Sequence, residues 1–484
     1  MDINIETVME RGRAAFAQGD HVAAEVHFRD ALAAGRDDAD VHHHLGFIAR
    51  TRGDLDESAA RYADALEHSP TDAHLHNNLG ETRRTQGHLA EAAALFRRSL
   101  QLTPDAGPIA ANLGSVLVAM KRPDLALPHL EHAAELDPNQ MQVHSDIAMC
   151  LCSMNRYTEA LAAYRRVYEI QPSANDARYL EALALLALGD FENGWRKHES
   201  RWYAHLGQPL RRVAPGPYWL GDADLTGRTI LVHAEQGHGD TIQYLRYIPL
   251  LRQRAARVIL EVQPALKPML AGLPDVYARG EDPPPYDTHC SFMSLPRAFR
   301  TTPDTIPAAA PYLTVPPDSL AKWQERLGPS DGRRRIGIAW TGTSSVWNRS
   351  IPLPLLEPLL DRTDCEFHII QTTMEPDDRT TLEHLPHLID HSTDLADFAD
   401  TAAVTELMDL IVSVDTALIH LGGALAKPTW TMLPFGAEYR WLTAGTTTAW
   451  YPTMRLFRQP ELFGWPQVVE AINAALSDAT APLA

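Results

Sequence analysis

Pro70, Pro104, Pro138 and Pro172 stand 34 residues apart, and the pairs Leu45-Gly46, Leu79-Gly80 and Leu113-Gly114, continued in register by Ile147-Ala148, keep the same spacing. A fixed period of this length restricts a chain to few architectures, because each unit must bury its apolar face against the next copy of itself. Large apolar residues recur at Phe28, Tyr62, Phe96, Leu130 and Tyr164, with smaller partners three positions later at Ala31, Ala65, Ser99, Ala133 and Val167. The spacing predicts two helices per unit: the small residue permits close approach, the large one fills the groove, and proline ends the second helix. Gly19, Gly53, Gly87 and Gly189 mark the turns between paired helices, while Lys121 and Asn155 replace glycine in two units.

These motifs resemble the tetratricopeptide repeat over roughly residues 5–172, with a degenerate unit continuing to about Trp202. The resemblance implies a solenoid whose first helices line a concave face suited to an extended polypeptide. His44, Asn78, Asn112 and Asp146 share one position in four successive units, just before the Leu-Gly pair. Amides repeated along a groove can bond a peptide backbone without reading its side chains, and a similar asparagine ladder holds acceptors in the O-linked N-acetylglucosamine transferases. The column could equally bond neighbouring units to one another, and both readings stay open. The triple His42-His43-His44 is read as a solvated helix face rather than a metal site.

Charge narrows the list of partners. A formal charge of −19 opposes binding to nucleic acid and to anionic membrane surfaces. No apolar run approaches the ~20 residues of a membrane span, and the start "MDINIETVMERGR" lacks the apolar core of a signal peptide, so a cytoplasmic location is expected. Cys150, Cys152, Cys290 and Cys365 form neither a zinc pattern nor a disulfide framework and are expected to be reduced core thiols.

Beyond the repeats, assigned to 1–205, a Gly- and Pro-rich stretch at 206–227 reads as a linker. Apolar runs then alternate with helical ones: Thr229-Ile230-Leu231-Val232 and Val258 to Val262 first, then "RIGIAW", "EFHIIQ", "DLIVSV" and "PTWTML". Such alternation predicts α/β lobes with parallel sheets, here at 228–330 and 331–460, followed by an amphipathic helix and tail at 461–484. Ligands of open α/β sheets bind at the carboxyl ends of strands, so the loops there carry the candidate residues.

The first loop, "HAEQGHGDTIQYLRY", places Gly237, Gly239 and Asp240 at a helix start, where the dipole favours an ionised carboxylate. It does not complete G-x-G-x-x-G, since Ile242 holds the third glycine's place, which disfavours a dinucleotide site. A plain helix cap is the simpler account of Asp240. The second loop offers Thr341, Thr343, Ser344, Asn348 and Arg349, hydroxyl and amide donors with one fixed positive charge, as a diphosphate requires. In the third, "VSVDTALIHLGGALAKPTW", the N–H groups of Thr416 and Ala417 begin a helix and form an anion site, and Gly422-Gly423 permits close packing. A fourth region groups Trp441, Trp450 and Tyr451 around Arg440 and Arg455, aromatic residues that anchor a loop to the core more readily than they stack a ligand.

Together these segments resemble bacterial heptosyltransferases and their relatives of the two-lobed GT-B class, over about residues 228–475. The resemblance implies that Gly239-Asp240 supplies the base, that Asp415-Thr416 with His420-Leu421 cradles the donor phosphates, and that Arg349 lies near the leaving diphosphate. The lysine-rich motif of the lipopolysaccharide enzymes is absent, which argues against an ADP-heptose donor. Repeats fused to such lobes look most like bacterial flagellin glycosyltransferases, whose donors are often activated nonulosonic acids.

The expected reaction is therefore inverting transfer from a nucleotide sugar to a protein hydroxyl, with one carboxylate facing the leaving group and no metal or other cofactor required. The triplets Asp38-Ala39-Asp40 and Asp222-Ala223-Asp224 lie outside any catalytic strand end. Two alternatives accompany this expectation: a repeat scaffold with inert lobes, and an enzyme acting on a glycolipid. The returning helix after Trp465 is expected, from the same resemblance, to cross back to the first lobe.

Overall fold

The computed structural model describes residues 4–204, 214–342 and 349–478. Two compact units result: Met1–Leu151 with Ala162–Pro172, and Cys152–Leu161 with Ser173–Ala484.

Among the described residues twelve α-helices precede the first strand: α1 (Ile5–Ala17), α2 (His21–Ala33), α3 (Ala39–Arg52), α4 (Leu55–His68), α5 (Ala73–Thr85), α6 (Leu89–Leu102), α7 (Gly107–Ala119), α8 (Pro123–Leu136), α9 (Met141–Ser153), α10 (Tyr157–Ile170), α11 (Asn175–Ala187) and α12 (Phe191–His198). The predicted close approach is visible where α5 meets α6: a Cβ added to Gly80 would lie 2.8 Å from Phe96, whose ring is fully buried. Lys121 and Asn155, the two substitutes for glycine, turn with φ of 60°, in the same left-handed region as Gly53 and Gly87.

In the first unit the column expected to grip an acceptor is linked across the repeats. Asn112 donates to Asn77 (3.1 Å), Asn77 to Asn78 (3.5 Å), and Asn78 lies 3.3 Å from His43 Nε2. His44 stacks on Phe28 with centroids 4.5 Å apart. Asp146 is buried, accepts from Ser115 (2.6 Å) and Gln142 (2.7 Å), and its carboxyl is pushed above the usual range by desolvation. These partners correspond to the structural reading of the column. The histidine triple departs from expectation: His42 is 4% exposed and buried, and His43 and His44 are half-buried. Consecutive helical residues point about 100° apart, so three in a row cannot share one solvated face.

The second unit contains two parallel sheets. β1 (Thr229–His233), β2 (Arg257–Val262), β3 (Val276–Ala278) and β4 (Thr288–Ser291) make one, in the order β3-β2-β1-β4. β5 (Arg334–Ala339), β6 (Cys365–Ile369), β7 (Ile389–Asp390), β8 (Leu410–Val414), β9 (Thr429–Leu433) and β10 (Met454–Arg458) make the other, in the order β10-β9-β8-β5-β6-β7. In both, the first strand pairs with neighbours on either side: Ile230 faces Val258 and Thr288, and Ile336 faces Phe367 and Leu410. The direction of strand order reverses there, which opens a crevice at the carboxyl ends of β1 and β4 and of β5 and β8.

Several boundaries differ from those expected. α11 and α12 fall in the same compact unit as the sheets, where Phe191 stacks on Trp450 and Trp195 meets Tyr439 edge-on. Part of the supposed linker is structured: Trp219 is buried, and its N–H donates to His289 O at 2.8 Å. The helix Pro317–Leu327, placed by sequence in the first lobe, sends Trp323 into a core with Ile411 and Val404 of the second. The helix Trp465–Ser477 does not cross back to the first lobe. Trp465, Val468, Val469 and Ile472 instead pack into the core of the six-stranded sheet, with Ile336 and Val412. The four cysteines are buried, as expected of core thiols.

Candidate functional site

The two crevices of the second unit open into one cavity of about 410 Å3. Gln236 to Asp240 from the β1 loop, Met293 after β4, Gly342 and Arg349 after β5, and Asp415, Thr416, Ala417 and His420 after β8 line it. Thus Gly237, Gly239, Asp240, Arg349, Asp415, Thr416, Ala417 and His420, singled out by sequence, meet in one place. Thr341 does not line it: its N–H donates to Gln371 (3.1 Å) and its hydroxyl to Asp378 (3.4 Å). Thr343, Ser344 and Asn348 lie outside the described residues.

The β1 loop is braced from below. Gln263, just beyond β2, donates to Gln236 O (2.8 Å) and Gly237 O (3.1 Å) and accepts from Thr241 (3.0 Å). Glu235 is held by Arg201, both side chains 1% exposed, at 2.5 and 3.0 Å, and Arg201 also donates to Ser294 and Glu199. This scaffold fixes the start of α13 (His238–Tyr244).

Asp240 is both a cap and one side of an ion pair. Its Oδ2 accepts the Gly237 N–H at 2.9 Å, which is a cap, while Oδ1 is paired with Arg440 Nη2. Its side chain is 17% exposed. Burial raises its pKa, aided by Glu438 and Glu235 and opposed by Arg440 and the Gly237 amide. The helix start was expected to favour the ionised form, whereas burial of the carboxylate raises its pKa.

Arg440 is the main residue the sequence reading missed as part of the site. Its Nε donates to Gln243 (2.6 Å) and its Nη1 to Glu438, so it joins the loop after β9 to the β1 loop. A second cross-link runs between the hydroxyls of Tyr244 and Tyr439 (2.9 Å). Trp441, Trp450 and Tyr451 are buried anchors, as expected. Tyr179 and Leu183 of α11 form another unforeseen wall, and the Tyr179 hydroxyl is pushed up to about 12 by burial.

On the opposite side, Thr416 caps the helix Ala417–Ala424, accepting the Leu418 N–H at 3.4 Å. The surroundings are less electropositive than expected. Arg349 Nη1 lies 3.8 Å from both Asp415 Oδ2 and Glu438 Oε1. Asp415 accepts the Trp441 indole N–H (2.9 Å), and burial, with Glu438 adding to it, pushes its carboxyl up to about 6. His420 is buried between Trp441, stacked at 5.8 Å, and Tyr451, whose hydroxyl is 2.9 Å from Nδ1. Burial and then the nearby Arg440, Arg246 and Arg349 hold its pKa well below the ordinary value, so the ring is neutral.

Gly239 is where the two sides touch: a Cβ there would lie 2.8 Å from His420 Cδ2 and 3.3 Å from Ala417 Cα. His420 is fixed by its partners and cannot yield easily. Gly239→Ala is expected to cost about 1–3 kcal/mol, as overpacked sites do, and denaturant unfolding of the purified variant measures it. Unchanged stability would show that the contact is slack.

The tetratricopeptide-repeat family matches residues 45–107, 106–173 and 153–203. Protein FlbA of Caulobacter vibrioides is 26% identical over 336 residues, a match that covers 62% of this chain and 55% of FlbA. The chain thus spans just over half of that relative's length. Because the repeats end near Trp202, a match of this extent runs into the α/β region. Among solved structures, YrrB, described as a TPR protein with an unusual peptide-binding site, is 26% identical with a TM-score of 0.34, covering 36% of this chain and 91% of its own. PilF of Pseudomonas aeruginosa is 22% identical with a TM-score of 0.37, covering 42% and 93%. MamA is 21% identical with a TM-score of 0.32, covering 35% and 97%.

Proposed function

We propose that the chain is a metal-independent, inverting glycosyltransferase of the two-lobed GT-B kind, moving a sugar from a nucleotide donor to a hydroxyl of a protein held by its repeats, as flagellin would be. The observation that carries this reading is a cavity of the second unit lined both by Asp240, from the loop of one sheet, and by Arg349 and the Thr416–Ala417 helix start, from loops of the other. Glycosyl transfer needs a base on the acceptor side and fixed positive charge where the phosphate departs. Asp240 takes the acceptor's proton, while Arg349 and the backbone N–H groups at Thr416 and Ala417 receive the leaving diphosphate. Arg440, paired with the Asp240 carboxylate, opposes the rise in its pKa that burial causes. Repeats of this family bind protein partners, which supports a polypeptide acceptor over a glycolipid.

One observation favours the scaffold reading: Arg349 shares its charge with two acids. Thermal unfolding of the full chain with UDP, ADP, GDP or CMP separates the two readings. Ligand at 100 times its Kd stabilises the folded state by about 2.7 kcal/mol. One nucleotide is expected to raise Tm in wild type and in Asp240→Asn, and to lose that effect in Arg349→Ala. No shift with any of the four would favour an inert pair of lobes.

A further inference from the structure

His42 occupies a register that recurs in the repeats. His76 and His144 stand 34 and 102 positions later, and each turns Nε2 onto a loop carbonyl, Pro70 O at 3.0 Å and Pro138 O at 2.9 Å. In the unit of α3 and α4 the arrangement changes. His42 Nε2 lies 2.7 Å from the carboxylate of Asp37, in the loop before α3, instead of a carbonyl. Nε2 of His68, the last residue of α4, reaches the same Asp37 oxygen at 3.2 Å. The two imidazoles lie nearly parallel, centroids 5.9 Å apart at 16°. All three ligand atoms fall within 4.8 Å of one another.

We propose that Asp37, His42 and His68 form a binding site for a divalent transition-metal cation of the zinc class. Two imidazole nitrogens and one carboxylate oxygen are a donor set that suits zinc, nickel or copper better than magnesium or calcium. Metal–ligand bonds of 2.0–2.2 Å in a tetrahedron put ligand atoms about 3.3 Å apart. The separations of 2.7 and 3.2 Å to Asp37, with all three atoms within 4.8 Å, reach that value by small movements of the exposed Asp37 and His68 side chains, 63% and 38% accessible. His42, by contrast, is buried and cannot wander. Its other ring nitrogen, Nδ1, lies 3.4 Å from Asp64 Oδ2, close enough for that carboxylate to favour a proton on Nδ1 electrostatically though not aligned as a hydrogen bond. The fourth position faces solvent beside His68, 38% exposed, and takes water. The bound ion clips the loop before α3 to the end of α4, closing the base of this helical pair. Positions 71 and 102, which correspond to Asp37 and His68 one unit later, are Thr71 and Leu102, so the site is specific to this unit.

The test is a titration of the untagged full chain with Co2+ alone, followed in the visible, then displacement by Zn2+. Wild type is expected to bind one Co2+ with the strong absorption of a four-coordinate ion and to release it to one equivalent of Zn2+. Asp37→Asn and His68→Gln, both at exposed positions that leave the fold intact, are expected to bind at least tenfold more weakly, while His144→Gln matches wild type. Absence of a one-equivalent site in wild type, or equal affinity in Asp37→Asn and His68→Gln, would overturn the proposal.

Discussion

Arg201→Ala is expected to destabilise the second unit by about 3–5 kcal/mol, the range for breaking one side of a buried ion pair. The arginine and Glu235 are each 1% exposed, and its guanidinium also serves Ser294 and Glu199. Removing it leaves the Glu235 carboxylate, 1% exposed, without the guanidinium that holds it. Urea unfolding of the full chain provides the measurement. A double replacement, Arg201→Met with Glu235→Leu, is expected to recover most of the loss, because similar apolar volume removes both charges together. If the single variant lost less than 1 kcal/mol, solvent would have to reach the pair.

The second large effect concerns chemistry. Asp240→Asn is expected to lower sugar transfer by about 10²–10⁴-fold, the contribution usual for a positioned general base, and to leave nucleotide binding in place. Intact mass of a co-expressed acceptor protein, with time courses, reads both rate and extent. The pH profile of wild type adds a second check. Burial raises the Asp240 pKa, and a base works only when deprotonated, so activity is expected to fall with decreasing pH at a higher pH than for an exposed aspartate. Asp415→Asn supplies the contrast, since its carboxylate faces Trp441 and Arg349 and is assigned to neither proton transfer nor the acceptor. Equal rates for Asp240→Asn and wild type would remove Asp240 from the role.

The parts of the fold that showed in the sequence are those whose physical demands are local or repeated. The 34-residue period reflects one contact, a glycine against a large side chain, made again and again. β1, β5 and β8 appear as apolar runs because both faces of a parallel sheet are covered. β4, "THCS", has no such run, and its burial comes from the chain segment at Tyr218 and Trp219 laid beside it. The amphipathic Trp465–Ser477 helix declares an apolar face but not which sheet receives it.

In the site, the sequence pointed to the loops at strand ends, and several of those loops line one cavity where the strand order reverses. It could not show Arg440 reaching Asp240 across 200 residues, nor Arg349 caught between two acids, because these contacts depend on how the loops after β8 and β9 fold back. His42 was misjudged because neighbours in sequence were treated as neighbours on one surface.

The membership of α11 also bears on how such a chain can be rebuilt. Its Tyr179 and Leu183 are part of the cavity wall, and the segment Cys152–Leu161, from the end of α9 to the start of α10, is seated in the same unit, where Tyr157 donates to Ala437 O at 2.5 Å. A foreign repeat cassette is therefore safest grafted with the junction ahead of Cys152; a splice at the end of α12 would carry off masonry from the cavity along with the helices it was meant to exchange.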